Sequence, residues 1–340
     1  MNPVREVNET ADGVRLLSHR PSVLYKVEHL ATDPPEGDIA VEGLKLAGPG
    51  WDDRLKSLSI SERACLFAVK LDDEQGLPIP ADTLLDRART DWFPEFLSHG
   101  QMKPHFQPIV ELDTGRAFGR EALMRGKLGA VEVRGGELMA AAEAHDALFS
   151  FDYRARTAAL EIGLPLLPEG EILFVNLDPR ASLDVDSSLR TTWPVVGRLG
   201  ADPSRLCLEL TKPERCPDRE LLKEIAAAHR KRGALLALDD LSGGTESLTC
   251  LETLKPDVAK IDTALTAGIQ HSPSRRRLVE ALVECAHEQG CKVVAEGVER
   301  VDEFRAMVEL GVDLGQGFYF GQATEKPMAV DTRLVRPTAF

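Results

Sequence analysis

The chain has 340 residues, 43% of them hydrophobic and 28% charged, a balance that supplies a large core and is not that of a disordered chain. Its formal net charge of −14 excludes the broad phosphate contact that duplex nucleic acid requires. A small phosphate ligand stays compatible with that charge, because a bound metal or an arginine can override the global field locally. The six cysteines form no C-x-x-C pair, which fits free thiols in a reducing cytosol. The first twenty residues are polar and lack the apolar stretch of a secretory signal. No run of about 18 apolar residues is present, so a cytoplasmic chain without a membrane span is expected.

In chain order, residues 1–85 carry dense turn signals, such as Asp33-Pro34-Pro35-Glu36-Gly37 and Gly48-Pro49-Gly50. Short strands are expected near Ile39–Leu46 and Cys65–Leu71. This segment reads as a small accessory module, with Pro78 and Pro80 at its boundary. Residues 81–99 have helical spacing through Leu84, Leu85, Ala88, Trp92, Phe93 and Phe96.

From residue 104, short apolar runs alternate with amphipathic segments. Strands are predicted at Phe106–Glu111, Ala117–Met124, Ile172–Leu177, Leu206–Leu210, Leu235–Asp239, Val258–Ile261, Lys292–Ala295 and Gly317–Phe320. Helices are predicted at Gly136–Ala147, Asp152–Ile162, Asp218–Arg232, Ser274–Gln289 and Val301–Leu310. This alternation implies a parallel sheet, and about eight strands fit a (β/α)8 TIM-like barrel over residues 86–330 with a tail at 331–340. A doubly wound open sheet is the alternative, but the Gly-rich fingerprint it calls for after the first strand is missing.

The predicted strand ends repeatedly deliver a polar group. Glu121, Asn176, Glu209, Asp239, Asp240, Lys260 and Glu296 all lie on or just after apolar runs. In a barrel the carboxyl ends of the strands share one mouth, so these groups converge. Oxygen ligands on rigid strands suit Mg²⁺ or Mn²⁺. An adjacent Asp pair suits two ions, the arrangement that serves in-line attack on a phosphodiester. Each residue alone is more simply a solvated strand or turn residue. Lys260 is the exception, since a lysine among Val258, Ala259 and Ile261 needs polar partners.

Eight ordered motifs carry the argument further. Phe106-Gln107-Pro108-Ile109, Gly119-Arg120-Glu121-Ala122-Leu123-Met124-Arg125, Val175-Asn176-Leu177 and Glu209-Leu210-Thr211 come first. Asp239-Asp240 with Gly243-Gly244, Lys260-Ile261-Asp262, Ala295-Glu296-Gly297-Val298-Glu299 and Gln316-Gly317-Phe318-Tyr319-Phe320 follow. Over roughly residues 88–325 the chain resembles the EAL-domain family of cyclic di-GMP phosphodiesterases. The resemblance implies hydrolysis of cyclic di-GMP to linear pGpG with two Mg²⁺ or Mn²⁺ ions. It assigns Glu121, Asn176, Glu209 and Asp239 to one ion, and Asp239, Asp240 and Glu296 to the other. It gives Lys260 and Glu296 to the attacking water, and Gln107, Arg125 and Gln316 to the ligand. Glu299 and Asp262 become supporting residues, and a homodimer through the barrel is implied.

The departures from the family pattern gather in one place. The loop after the Asp pair reads Leu241-Ser242-Gly243-Gly244-Thr245-Glu246-Ser247, Lys212 stands where the family carries a loop-tethering glutamate, and Gln322-Ala323 replaces a late Arg-Pro. Lysine has donors but no acceptor, so it cannot copy that tether. A pairing of Lys212 with Glu246, with Glu214 as a second acceptor, is one expectation, and a loose loop is the other. The altered loop leaves a non-catalytic cyclic di-GMP receptor as the alternative function.

Overall fold

A computed structural model of the chain describes residues 14–18, 44–46, 51–70, 78–182, 184–216 and 218–335. The chain divides into two compact units, residues 1–94 with 140–146, and residues 95–139 with 147–340.

In the first unit, strands β1 (Val14–Ser18), β2 (Leu44–Leu46), β3 (Leu66–Lys70) and β4 (Ile79–Pro80) form an antiparallel sheet in the order β2-β1-β3-β4. Leu16, Leu66 and Ala68 pack with Leu55, Leu58, Leu84 and Leu85 into a small core. Strand β1 escaped the sequence reading. Of the expected strand at 39–46, only residues 44–46 fall within the described residues. The helical stretch at 81–99 is two helices, α1 (Ala81–Arg89) and α2 (Phe93–His99).

The second unit is a closed barrel. Its strands are β5 (Gln101–Glu111), β6 (Ala117–Leu128), β8 (Ile172–Leu177), β9 (Leu206–Leu210), β10 (Leu235–Leu241), β11 (Val258–Ile261), β12 (Lys292–Ala295) and β13 (Leu314–Gln316). Strands β6 and β8 to β13 run parallel, and β5 closes the ring antiparallel to both β6 and β13. A short strand β7 (Val131–Arg134) extends β6 as a hairpin. This is the (β/α)8 TIM-like architecture with one reversed strand. Strand β5 starts earlier than expected because Pro104 sits where β5 pairs only with β6, so its missing N–H costs no ladder bond.

Side chains alternate along a strand, and this period of two builds the barrel in layers. Outward residues such as Leu173, Val175, Leu206 and Leu208 meet Leu160 and Leu164 of the helix Leu148–Leu166. Others, including Leu236, Leu238, Ala259 and Ile261, meet the helices Arg219–Arg230, Thr245–Leu254 and Pro273–His287. Inward, Ile109, Phe174, Cys207, Ala237, Val258, Val294 and Leu314 form one apolar layer. Burial on both faces explains why these strands read as near-continuous apolar runs.

Two sequence expectations need correction. The last barrel strand is Leu314–Gln316, not Gly317–Phe320. Gly317 (φ 152°) ends it, and a Cβ there would lie 2.2–2.7 Å from Val298 backbone atoms. The chain then turns outward, so Tyr319 stacks on Phe304 instead of joining the sheet. The helix Val185–Leu199 was also missed, although its Asp184 cap and left-handed Gly200 are ordinary start and stop signals.

Arg120 lies one residue before Glu121 and so faces away from the barrel interior. It is 2% exposed and grips Glu171 at 2.7 and 3.1 Å, while its Nη1 donates to the Met328 carbonyl at 2.7 Å. Arg120→Ala strands Glu171 and should lower unfolding stability by about 3 kcal/mol, measured by urea titration. A change below half of that would show the pair to be dispensable.

Candidate active site

The residue two positions beyond each inward apolar residue is polar. Asn176 follows Phe174, Glu209 follows Cys207, Asp239 follows Ala237 and Lys260 follows Val258. Glu296 follows Val294 and Gln316 follows Leu314. On the reversed strand the order inverts, and Gln107 precedes Ile109. The two-residue strand period therefore stacks a polar layer directly on the apolar one, at the carboxyl ends of the parallel strands. On β6, Gly119 holds the inner position below Glu121, where a Cβ would lie 2.8 Å from the Phe174 ring.

Asp239 and Asp240 are neighbours in sequence and should face opposite ways on a regular strand. The β10–β11 register slips between Leu238 and Leu241, and Asp240 takes a left-handed conformation (φ 59°). This bulge turns both carboxylates to the mouth. Asparagine and aspartate tolerate that backbone better than most residues. Ligand atoms of Asp239, Asp240 and Glu296 lie within 4.8 Å of one another.

Lys260 is the centre of the cluster and is 1% exposed. Its Nζ lies 2.7 Å from Glu296 Oε1, 3.0 Å from Glu209 Oε1, 3.2 Å from Glu121 Oε2 and 3.3 Å from Asp239 Oδ1. Glu121 also accepts from Gln316 Nε2 at 2.6 Å and from Asn176 Nδ2 at 3.2 Å. Gln316 reaches Gln107 Oε1 at 3.2 Å, and Gln107 donates to the Gly321 carbonyl at 3.1 Å.

The electrostatics follow from burial and crowding. Burial alone would push the Lys260 ammonium down, but Asp239, Glu121, Glu209 and Glu296 hold it well above the ordinary lysine range. Burial raises Glu121, and Lys260, Gln316 and Asn176 reverse that and keep it low. Glu209 is driven well up by burial and by the charge of Glu121. Burial raises Asp239 against the pull of Lys260. Asp240 rises to about 6 through burial and the charges of Asp239 and Asp262. Glu296 rises to about 8, with burial outweighing Lys260. The five carboxylates and one ammonium carry four excess negative charges when all are ionised, and Glu209 Oε2 is buried without a hydrogen-bond partner. Oxygen donors of this kind, held on rigid strands, suit a hard divalent cation.

Some expected residues stand apart. Arg125 is half-buried, and its Nη1 donates to the carbonyl of Met124. Asp262 acts on Asp240 by charge, while its side chain caps Ala264 N at 2.6 Å. Glu299 is exposed, and no hydrogen bond or ion pair links its carboxylate to the cluster. Glu303 was not singled out in the sequence, yet it is 5% exposed and accepts from the backbone N–H groups of Gly268, Glu299 and Arg300 at 2.9–3.1 Å. It fixes the loop after Glu296. Its place at the third position of the helix Val301–Glu309 was the available signal. Thr266 Oγ1 donates to the Glu296 carbonyl. Lys212 adopts a left-handed backbone (φ 48°) and forms no ion pair with Glu246; its charge acts on Asp240 instead.

The EAL domain family model matches residues 90–323, and the chain belongs to that family. A standalone versatile EAL protein from Vibrio cholerae O395, solved in a c-di-GMP bound form, is 26% identical with a TM-score of 0.63; the match covers 69% of this chain and 98% of that one. BlrP1 of Klebsiella pneumoniae, solved as a calcium/cy-diGMP complex, is 26% identical with a TM-score of 0.59, covering 73% and 66%. Cyclic di-GMP phosphodiesterase PA2567 of Pseudomonas aeruginosa is 27% identical over 227 residues, 64% of this chain and 37% of that protein. The chain spans less than two thirds of the length of the first curated relatives it matches.

The raised carboxylates carry a pH signature. Without metal, Asp240 and Glu296 hold protons in the folded state that their unfolded forms release at lower pH, so their contribution to stability falls as pH rises between about 4.5 and 8. In chelator, the melting temperature should drop from pH 5 to pH 8, and Mn²⁺ should restore it most at the upper end. A metal-free protein that gains stability over that range would contradict the assignment.

Proposed function

We propose that the barrel hydrolyses cyclic di-GMP to linear pGpG with two divalent cations, Mg²⁺ or Mn²⁺. The observation that carries this reading is the crowding of five carboxylates at the strand ends, four of them paired with Lys260. Their four excess negative charges match two divalent ions, and the unpartnered Oε2 of Glu209 is a free donor. Glu121, Asn176, Glu209 and Asp239 would hold one ion, and Asp239, Asp240 and Glu296 the other. The bound ions would lower the pKa of the attacking water and neutralise charge on the phosphoryl oxygens.

The protein's own groups do the rest. Lys260 fixes the water by donation, and Glu296, 2.7 Å from Lys260 Nζ, accepts its proton. The water oxygen bonds to one phosphorus while one ring P–O bond breaks, and the departing ribose oxygen takes up a proton from solvent, which opens the cyclic dinucleotide. A fixed ammonium stabilises developing charge without reorganisation. Gln107 and Gln316 are bonded to each other at the mouth and offer amides to phosphate and sugar. Arg125, on the same strand as Glu121, supplies a cation for the same ligand once it releases the Met124 carbonyl.

This reading extends to the whole chain. Residues 1–85 act as a regulatory module, the barrel pairs as a homodimer, and the protein works in the cytoplasm. Among the described residues, no helix is long and apolar enough to cross a membrane. The second reading, a receptor that binds cyclic di-GMP without turnover, is favoured by Lys212, which leaves the loop after Asp240 without its acidic tether.

Purified protein with cyclic di-GMP and Mn²⁺ should yield pGpG. Glu121→Ala and Asp239→Ala should each abolish turnover with the fold retained by circular dichroism. Near-normal rates in either variant at saturating metal would refute the site. Lys260→Ala should cut kcat by roughly 100-fold with little change in KM, because a group acting on the water stabilises the transition state. Equal losses in binding and rate would instead make Lys260 a ligand-binding residue. If the loop is degenerate, Lys212→Glu should raise the rate over wild type.

A further inference from the structure

The exits of β9 and β10 supply Glu209 and the Asp239-Asp240 pair, so the spacing of those exits sets the spacing of the ligands. Lys212 does not pair with the loop after Asp240. A different side chain reaches from the β9 exit to the helix that follows that loop. Arg219, at the first position of the helix Arg219–Arg230, sends Nη1 to the Pro213 carbonyl at 3.1 Å and to Cys250 Sγ at 3.2 Å. Its Nη2 reaches the Glu214 carbonyl at 3.3 Å. Pro213 and Glu214 lie four and five residues beyond Glu209. Cys250 is 3% exposed and sits on the inner face of the helix Thr245–Leu254, which begins one residue after the Gly243-Gly244 turn behind the Asp pair.

We propose that Arg219 is a positioning residue that replaces the absent acidic tether, using the Cys250 sulfur as its acceptor on the far side. The inference rests on the two-metal reading above. The logic is one of donors and acceptors. A glutamate tether reaches out from the β9 loop to donors on the β10 side. With lysine in that position, the acceptor must come from the β10 side and the donor from the β9 side. A guanidinium is built for this, because its fork serves two carbonyls of one loop and one acceptor of another at the same time. Arg219 touches neither metal ligands nor substrate, so it acts only through the relative placement of the two loops.

The test is Mn²⁺ binding by calorimetry on the full chain, with kcat and KM measured across Mn²⁺ concentrations. Arg219→Ala should weaken Mn²⁺ binding by roughly 3-fold, less than the roughly 10-fold cost of removing a group bonded directly to a ligand, because Arg219 acts only through the loop. Its kcat deficit should shrink as Mn²⁺ is raised, with KM for cyclic di-GMP unchanged. Cys250→Ala should reproduce the effect, whereas Cys250→Ser, which keeps an acceptor, should hold wild-type affinity. The double variant Arg219→Ala/Cys250→Ala should be no worse than Arg219→Ala alone. A wild-type isotherm for Arg219→Ala, or equal losses in Cys250→Ala and Cys250→Ser, overturns the proposal while leaving the metal site standing. A wild-type protein that takes up no Mn²⁺ overturns the two-metal reading and the tether with it.

Discussion

A single buried ammonium holds the mouth of this barrel together. Lys260 lies within 3.3 Å of four carboxylates from four other strands, and among the described residues no other cationic side chain pairs with them. Removing an ion from water costs several kcal/mol, and one cation cannot offset four or five anions. The folded barrel therefore concentrates an electrostatic deficit at one point. The deficit shows in the carboxyl groups of Glu209, Asp239, Asp240 and Glu296, all pushed above the ordinary carboxylate range by burial and by one another's charge. The strands, their helices and the apolar layer beneath supply the rigidity that stops the carboxylates from simply moving apart.

Much of this was legible in the sequence because two simple periods govern it. The strands Ile172–Leu177, Leu206–Leu210, Val258–Ile261 and Lys292–Ala295 have the boundaries that their apolar runs suggest, since they are buried on both faces. The polar residue near each strand end marked the mouth for the same reason. What escaped was set by contacts across the fold. Leu314–Gln316 is too short to show a period and contains a glycine. The helix Val185–Leu199 hides behind Thr191-Thr192-Trp193-Pro194 in its middle. The slip at Asp240 is a backbone event with no residue signature of its own beyond the paired aspartates. Glu303 was signalled only by its place at the third position of a helix, and Arg219 acts on loop carbonyls and on a thiol 31 residues away, which no motif announces.

The departures from the family pattern are easier to understand as a change in who donates and who accepts. Lys212 lost an acceptor, and the left-handed backbone at Lys212 leaves its charge acting on Asp240. Arg219 ties the loop after Glu209 to the helix that follows the Asp-pair loop. A substitution that looks like decay in one position is accompanied by a connection in another, and every residue proposed as a metal ligand is present.

The apolar layer beneath the cluster has a kinetic meaning. Ile109, Phe174, Cys207, Ala237, Val258, Val294 and Leu314 are at most 1% exposed, so the chamber has a sealed floor. Whatever enters must leave by the way it came. On the two-metal reading, a ligand seated over the carboxylates would act as a stopper for the ions below it, so that ions would load first and ligand second, with ion exchange waiting on ligand departure.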